Sequence, residues 1–164
     1  MALDNTKASP LMIAPALLFA AVSGGGYGAV SSVVPLIKLK VVLILGIVVF
    51  VFALFSLTGR KVLVNLVVGL LGGLIAVASL WFGWYWVEFG QGAAMEFITS
   101  GPYGIYKNLM ILSQNYVYAM EGSTSDNGST MTQVIWGGET ALFFLTPVVG
   151  SLSARSRAMR VAKV

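Results

Sequence analysis

The sequence predicts an all-α, polytopic membrane protein with about four transmembrane helices. Hydrophobic residues make up 57% of its 164 residues, and charged residues make up only 10%. Because soluble globular chains carry about 25% charged residues, this chain has too little charge to cover a water-facing surface. Its charges instead lie mostly between four apolar runs that are each about long enough to cross a bilayer. We therefore expect a single membrane domain over residues 1–164.

The first three apolar runs are separated by short basic turns. We expect transmembrane helices at about 11–37, 41–58 and 62–87. Lys38 and Lys40 flank the first turn and Arg60-Lys61 forms the second, and connections this short are typical of antiparallel neighbouring helices. The first run stays uncharged well past the small residues that would mark a signal-peptide cleavage site. We therefore interpret it as a helix and not as a leader.

The segment 88–130 has a different composition, with four of the six acids and a single base. Gly101-Pro102 is a turn signal, and the polar tract 122–130 predicts a loop. Between them, 103–120 has a helical pattern, and the side chains that share one side are Tyr106, Leu109, Met110, Val117 and Met120. Such a helix would lie on the membrane surface or against the bundle. A packed extramembrane hairpin is an equally good interpretation.

A fourth transmembrane helix is expected at 131–152, followed by a basic tail at 153–164. Four crossings place both termini and the second turn on one side, with seven Lys and Arg residues against three on the other side. The positive-inside rule then puts both termini in the cytoplasm and 88–130 outside. Five aromatic residues at the outer end of helix three are expected to form an interfacial belt. They are Trp81, Phe82, Trp84, Tyr85 and Trp86.

Small residues recur at helical spacing in helices one and three, as in membrane helices whose backbones approach closely. In helix one they are Ala20, Gly24, Gly28 and Ser32. In helix three the corresponding side carries Asn65, Gly69, Gly72, Gly73 and Ala76. We expect these two stripes to pack face to face. The alternative is that the glycine-rich patch kinks helix one to line a cavity or seat a ligand. Helix two has no such stripe and is expected to face lipid.

Glu139 is the sharpest functional candidate, because it lies about 12 Å into helix four at 1.5 Å per residue. An unpaired charge at that depth is costly, so the acid should face inward, be protonated or find a partner. Thr132 and Thr146 lie seven residues to either side and align with it, and Tyr27 and Asn65 are further intramembrane polar candidates. The acid has either a structural role, in which it fixes helix register through hydrogen bonds or reaches a partner subunit, or a functional one, in which it relays a proton or cation. With no second membrane carboxylate, the structural role is favoured.

The chain contains no histidine and no cysteine. Histidine-ligated haem, thiolate metal sites, iron–sulfur clusters and histidine-based catalysis are therefore excluded. We predict no metal, no cofactor, no enzymatic activity and no nucleic-acid partner. A further pattern has three parts. The first helix is rich in glycine and tyrosine and ends near a proline (24–35), and the entry to helix two is tight. The last helix carries Trp136, Glu139 and Leu142. This pattern resembles small bacterial four-helix inner-membrane proteins without assigned function, which implies an inner-membrane location and supplies no activity.

Three functions fit these observations. The first is a non-catalytic subunit that packs with other integral membrane subunits, with copies of itself and with lipids, using its exterior loop as the contact surface. The second is a small transporter or channel component in which Glu139 couples ion movement. The third, an intramembrane enzyme acting on lipids, has the least support because Glu139 is its only candidate acid–base group.

Overall fold

The computed structural model describes residues 12–34, 37–58, 62–115, 119–120, 123–124 and 128–161. Within them the chain forms six helices: α1 (Ile13–Val33), α2 (Ile37–Phe55), α3 (Val62–Phe89), α4 (Gln91–Thr99), α5 (Gly101–Asn115) and α6 (Gly128–Val161). A two-residue antiparallel ladder joins β1 (Ala119–Met120) to β2 (Ser123–Thr124). The prediction of a helical chain is confirmed in the described part, where this short ladder is the only strand pairing.

Three helices are long and apolar enough to cross a membrane, namely α1, α3 and the segment Thr130–Ser153 of α6. The α2 segment Leu39–Phe55 is a shorter apolar helix. Helices suit such apolar runs because every backbone hydrogen bond is made within the segment and none is left to lipid. Val34, which follows α1, is extended with φ −109° and ψ 99°. The residue before a proline disfavours helical backbone angles, so Pro35 in the sequence accounts for the end of α1.

The four longest helices form a ring in the order α1, α3, α6, α2, and α1 with α3 is the most extensively packed pair. Gly24 lies against Ala76 and Gly28 lies against Leu80, so α1 and α3 run parallel. Gly69 lies against Val148, and the later Gly73 lies against the earlier Phe144, so α6 runs antiparallel to α3. The ring therefore contains a parallel pair of neighbours, α1 with α3, beside the antiparallel pair α3 with α6.

Beyond α3 the chain folds back along the bundle. Gly90 makes the turn with a φ of +87°, a value that L side chains rarely adopt. It lets α4 return along α3, where the Phe97 ring stacks on Tyr85 with centroids 3.9 Å apart. A second left-handed glycine, Gly101 at φ +75°, then reverses the chain into α5, which packs on α6. We call this end of the molecule the α4–α5 end of the bundle.

Several predicted boundaries differ from the observed ones. The helix predicted over 103–120 ends at Asn115, and Met120 lies in β1, while Val117 is outside the described residues. The polar tract 122–130 was predicted as a loop, yet α6 already begins at Gly128. Lys40, placed in a turn by the sequence pattern, lies inside α2. Helix two was expected to face lipid. Only one side of α2 is exposed, because Ile44, Val51 and Phe55 are buried.

Candidate functional site

Glu139 lies at a junction of three helices near the α4–α5 end of the bundle. The Tyr27 hydroxyl of α1 donates a hydrogen bond of 2.6 Å to Oε1 of Glu139 in α6. Tyr27 is 3% exposed, and Glu139 is half-buried. A short bond from a neutral donor to a carboxylate is among the stronger hydrogen bonds in proteins. The acid has therefore found a partner within the bundle, as an intramembrane carboxyl group requires.

Lys40 is the third member of this polar cluster. It lies in the first turns of α2, it is 4% exposed, and it is attracted electrostatically to Glu139 and to Glu88 at the end of α3. Opposite charges that share a low-dielectric site compensate each other, whereas either one alone would be costly. Lys40 was not among the predicted site residues, because the sequence pattern places it in a turn. The one feature of the sequence that hints at its position in α2 is that it directly precedes the apolar run.

The polar cluster borders a cavity of about 210 Å³. The remaining wall is apolar and comes from α2 and α6: Val41, Ile44, Val134, Ile135, Gly138 and Leu142. A carboxylate, an ammonium and a phenol around one space make a network that can hold helices in register. The same groups have the chemistry to take up and release a proton. The other residues of the cavity wall have no side chain that could take part in this proton exchange.

The Tyr27 side chain is held by packing on two sides. Its ring lies 5.2 Å from that of Phe143 in α6, tilted by 36°. Its neighbour Gly28 is pressed against the backbone of α3, where a Cβ atom would collide with the carbonyl oxygen of Leu80. The close approach of α1 to α3 therefore depends on glycine at this position and fixes the base of Tyr27. Gly24 makes the equivalent approach to the carbonyl oxygen of Ala76.

The other predicted packing residues divide between two interfaces. Ala20 is buried with Gly24 and Gly28, whereas Ser32 is half-buried and donates to the carbonyl oxygen of Ala29. Gly69 and Gly73 were predicted to face helix one, and this was wrong. A Cβ atom at Gly69 would meet Ser151 and Val148, and one at Gly73 would meet Phe144, all in α6. Small residues run along more of α3 than one neighbour covers, so spacing alone could not assign each glycine to its partner.

The predicted polar residues of α6 and α3 lie at different heights. Thr146 is buried and donates to the carbonyl oxygen of Leu142, a bond local to α6. Thr132 is 1% exposed. Asn65, also 1% exposed, lies in the first turn of α3, about 24 Å along the axis from Trp81 at 1.5 Å per residue. Since Trp81 hydrogen-bonds to Thr140 beside Glu139, Asn65 is remote from the polar cluster.

The expected aromatic belt is largely an internal cluster. Trp81, Trp84 and Tyr85 are buried, and only Trp86 of the five is mainly exposed. The Trp136 ring of α6 lies 5.2 Å from that of Trp81 and 5.4 Å from that of Trp84, both edge-to-face. Such contacts stabilise the α3–α6 interface beyond simple burial. A run of aromatic residues at a helix end predicts a belt, but α6 and α4 cover most of this one.

The described residues contain no group of three carboxylate, histidine or cysteine side chains that could hold a metal ion. Comparison with other proteins adds no assignment. The chain matches no protein-family model, and it shows no significant similarity to curated proteins or to solved structures.

Proposed function

We propose that this chain is a non-catalytic membrane subunit that packs within a larger membrane assembly or with copies of itself. The observation that carries the proposal is the engagement of Glu139 by Tyr27 at 2.6 Å and by the charge of Lys40. Glu139 is the candidate acid–base group for catalysis or transport. Its interactions with Tyr27 of α1 and Lys40 of α2 instead link three helices. A polar network of this kind specifies one arrangement of a bundle.

In this proposal four helices cross the bacterial inner membrane and both termini lie in the cytoplasm. The 19 residues of α2 have a length of about 28 Å, close to the ~30 Å hydrocarbon core, which supports a fourth crossing. The excess of Lys and Arg near the termini and the second turn supports the orientation. The turn between α3 and α4 then lies on the outer side, and α5 packs beside 133–144, the outer half of the α6 crossing.

The contact surface in this proposal lies on α4 and α5. Met95 and Ile111 are about half-exposed, and Tyr103 is 79% exposed. Exposed tyrosine is enriched where one protein recognises another.

A photo-cross-linking amino acid at Tyr103 tests this surface in native membranes. The matched control is Val42, which is 66% exposed on α2 and faces lipid in the proposal. We expect Tyr103 to give protein adducts of one defined mass, either with another subunit or with a second copy, and Val42 to give lipid adducts. Lipid adducts alone at Tyr103 would contradict the assignment of the contact surface.

A second candidate function is a proton or cation site in a small transporter or channel component. The observation that favours it is the cavity of about 210 Å³ beside Tyr27, Lys40 and Glu139. Reconstituted vesicles test it by comparing ion flux in Glu139→Gln with Glu96→Gln, an exposed acid on α4. This function requires loss of flux in the first variant only. Equal flux in wild type and Glu139→Gln would remove it.

A further inference from the structure

A second pocket lies between α3, α5 and α6, apart from the polar cluster. Its volume is about 410 Å³, within the ~300–1,000 Å³ of small-molecule sites. Four aromatic side chains from three helices contribute to its wall: Trp81, Tyr106, Trp136 and Phe144. Aromatic faces from several directions suit a flat ring better than a flexible chain.

Two polar side chains of α6 also line this pocket. Thr140 accepts a hydrogen bond of 3.2 Å from Nε1 of Trp81. Because a hydroxyl carries one proton and Trp81 uses an acceptor site, the Thr140 proton remains available for donation. Gln133 donates through Nε2 to the Ser113 hydroxyl at 3.1 Å. A carboxamide nitrogen carries two hydrogens, so a second N–H of Gln133 is available.

The Cα atoms of the two donor residues have a defined separation. Thr140 follows Gln133 by seven residues, which places them on one face of α6 with Cα atoms about 10 Å apart. A ring with a carbonyl group at each end, plus a hydrogen bond of about 2.8 Å at each oxygen, spans a comparable distance. A ligand with two opposed acceptors on a flat, apolar body therefore fits both the donors and the walls.

We propose that this pocket binds a para-quinone carried on an apolar tail. In this arrangement the ring lies among the aromatic side chains, one carbonyl oxygen accepts from Thr140, and the other accepts from Gln133. The tail leaves towards the lipid-facing surface of α6, where Gly137 is exposed and has open space around it. The competing occupant is a single-chain lipid. It has an acceptor at one end only and no ring, so it would fit the two donors and the aromatic wall less well. The pocket shares α5 with the proposed contact surface, but Met95, Tyr103 and Ile111 do not line it.

The test uses the purified full chain in detergent, with decylubiquinone as the probe. Trp81 and Trp136 line the pocket, so a bound quinone should quench tryptophan fluorescence with a saturable dependence on its concentration. We expect Thr140→Val to weaken binding by about three- to tenfold, the size of one hydrogen bond. Thr140→Ser should stay within about twofold of wild type, since it retains the hydroxyl. The control Thr99→Val, at an exposed position on α4, should bind like wild type.

Competition separates a specific site from an apolar crevice. Decylbenzene has the tail and ring but no carbonyl group, and a lysophospholipid has a carbonyl group but no ring. We expect each compound to reverse the quenching only at a concentration at least tenfold above that of decylubiquinone. Equal displacement by either compound would overturn the proposal. So would unchanged quinone affinity in both Thr140→Val and Gln133→Leu, with circular dichroism verifying that each variant is folded.

Discussion

The Tyr27 hydroxyl donates a 2.6 Å hydrogen bond to Oε1 of Glu139 across 112 residues of sequence. The bond joins the first long helix to the last, and Lys40 adds the second helix through its charge. Side chains of three helices therefore meet around one cavity. Lipid offers no competing hydrogen bonds, so the network favours one register of the bundle over its neighbours.

Tyr27→Phe should destabilise the bundle while keeping the ring contact with Phe143. The variant removes one hydrogen bond to a carboxylate, so we expect the free energy of unfolding to fall by about 1–2 kcal/mol. Tyr103→Phe is the matched control, because that hydroxyl belongs to a side chain that is 79% exposed. Unfolding titrations in mixed micelles measure the difference. Equal stability of the two variants would contradict a structural role for the Tyr27 hydroxyl.

Lys40 and Glu139 should be energetically coupled. Removing Glu139 leaves the buried Lys40 with only the smaller attraction of Glu88, and removing Lys40 leaves Glu139 without its cation, whereas removing both leaves neither charge in the cluster. We expect Lys40→Met and Glu139→Gln to be less than additive, with a coupling energy of about 0.5–3 kcal/mol in a double-mutant cycle. The same unfolding titration provides all four values. Strict additivity would mean that the two side chains do not compensate each other in the folded bundle.

Much of the fold follows directly from residue pattern. Long uncharged runs separated by basic turns predict the spanning helices, because lipid admits few alternatives to helix. The small-residue spacing around Gly24 and Gly28 predicts close backbone approach, and the structure shows that approach to α3. Glu139 stands out in the sequence because a charge inside an apolar helix has a high cost.

The remaining features depend on tertiary contacts that pattern does not encode. Gly69 and Gly73 face α6 because α3 contacts two helices with overlapping sides. Trp81 and Trp84 are buried because α6 covers them, although their position at a helix end is equally typical of an interfacial belt. Lys40 lies in the polar cluster because α2 begins at Ile37, before the start at residue 41 that the apolar run predicts. Long side chains at helix ends can point either to water or inward.

Gly28→Ala should be strongly destabilising, and Gly26→Ala should not. A Cβ atom at position 28 would collide with the carbonyl oxygen of Leu80, whereas one at position 26 would meet open space. Because backbone must move to relieve the first clash, we expect a loss of about 1–3 kcal/mol or more. The second substitution should be neutral or slightly stabilising, since alanine favours helix over glycine. Thermal melting in detergent distinguishes them, and similar melting temperatures would argue against tight packing of α1 on α3.

Single cysteines should report the proposed orientation, because the natural chain contains none. We expect Gln91→Cys to react with a membrane-impermeant maleimide added to intact spheroplasts, since Gln91 is exposed and the turn between α3 and α4 is proposed to face outward. Val164→Cys at the cytoplasmic tail should react only after the membrane is opened. The reverse labelling pattern would invert the topology and contradict the positive-inside assignment.

The measurement that tests the central proposal most directly is extraction of the chain from native membranes in mild detergent. Size analysis and mass spectrometry then identify what travels with it. A membrane subunit should emerge at fixed stoichiometry with other membrane proteins or with copies of itself, and the Tyr103 adducts should match those partners. A stable, partner-free monomer would contradict the proposal and leave the polar cluster around Glu139 as the remaining candidate for function.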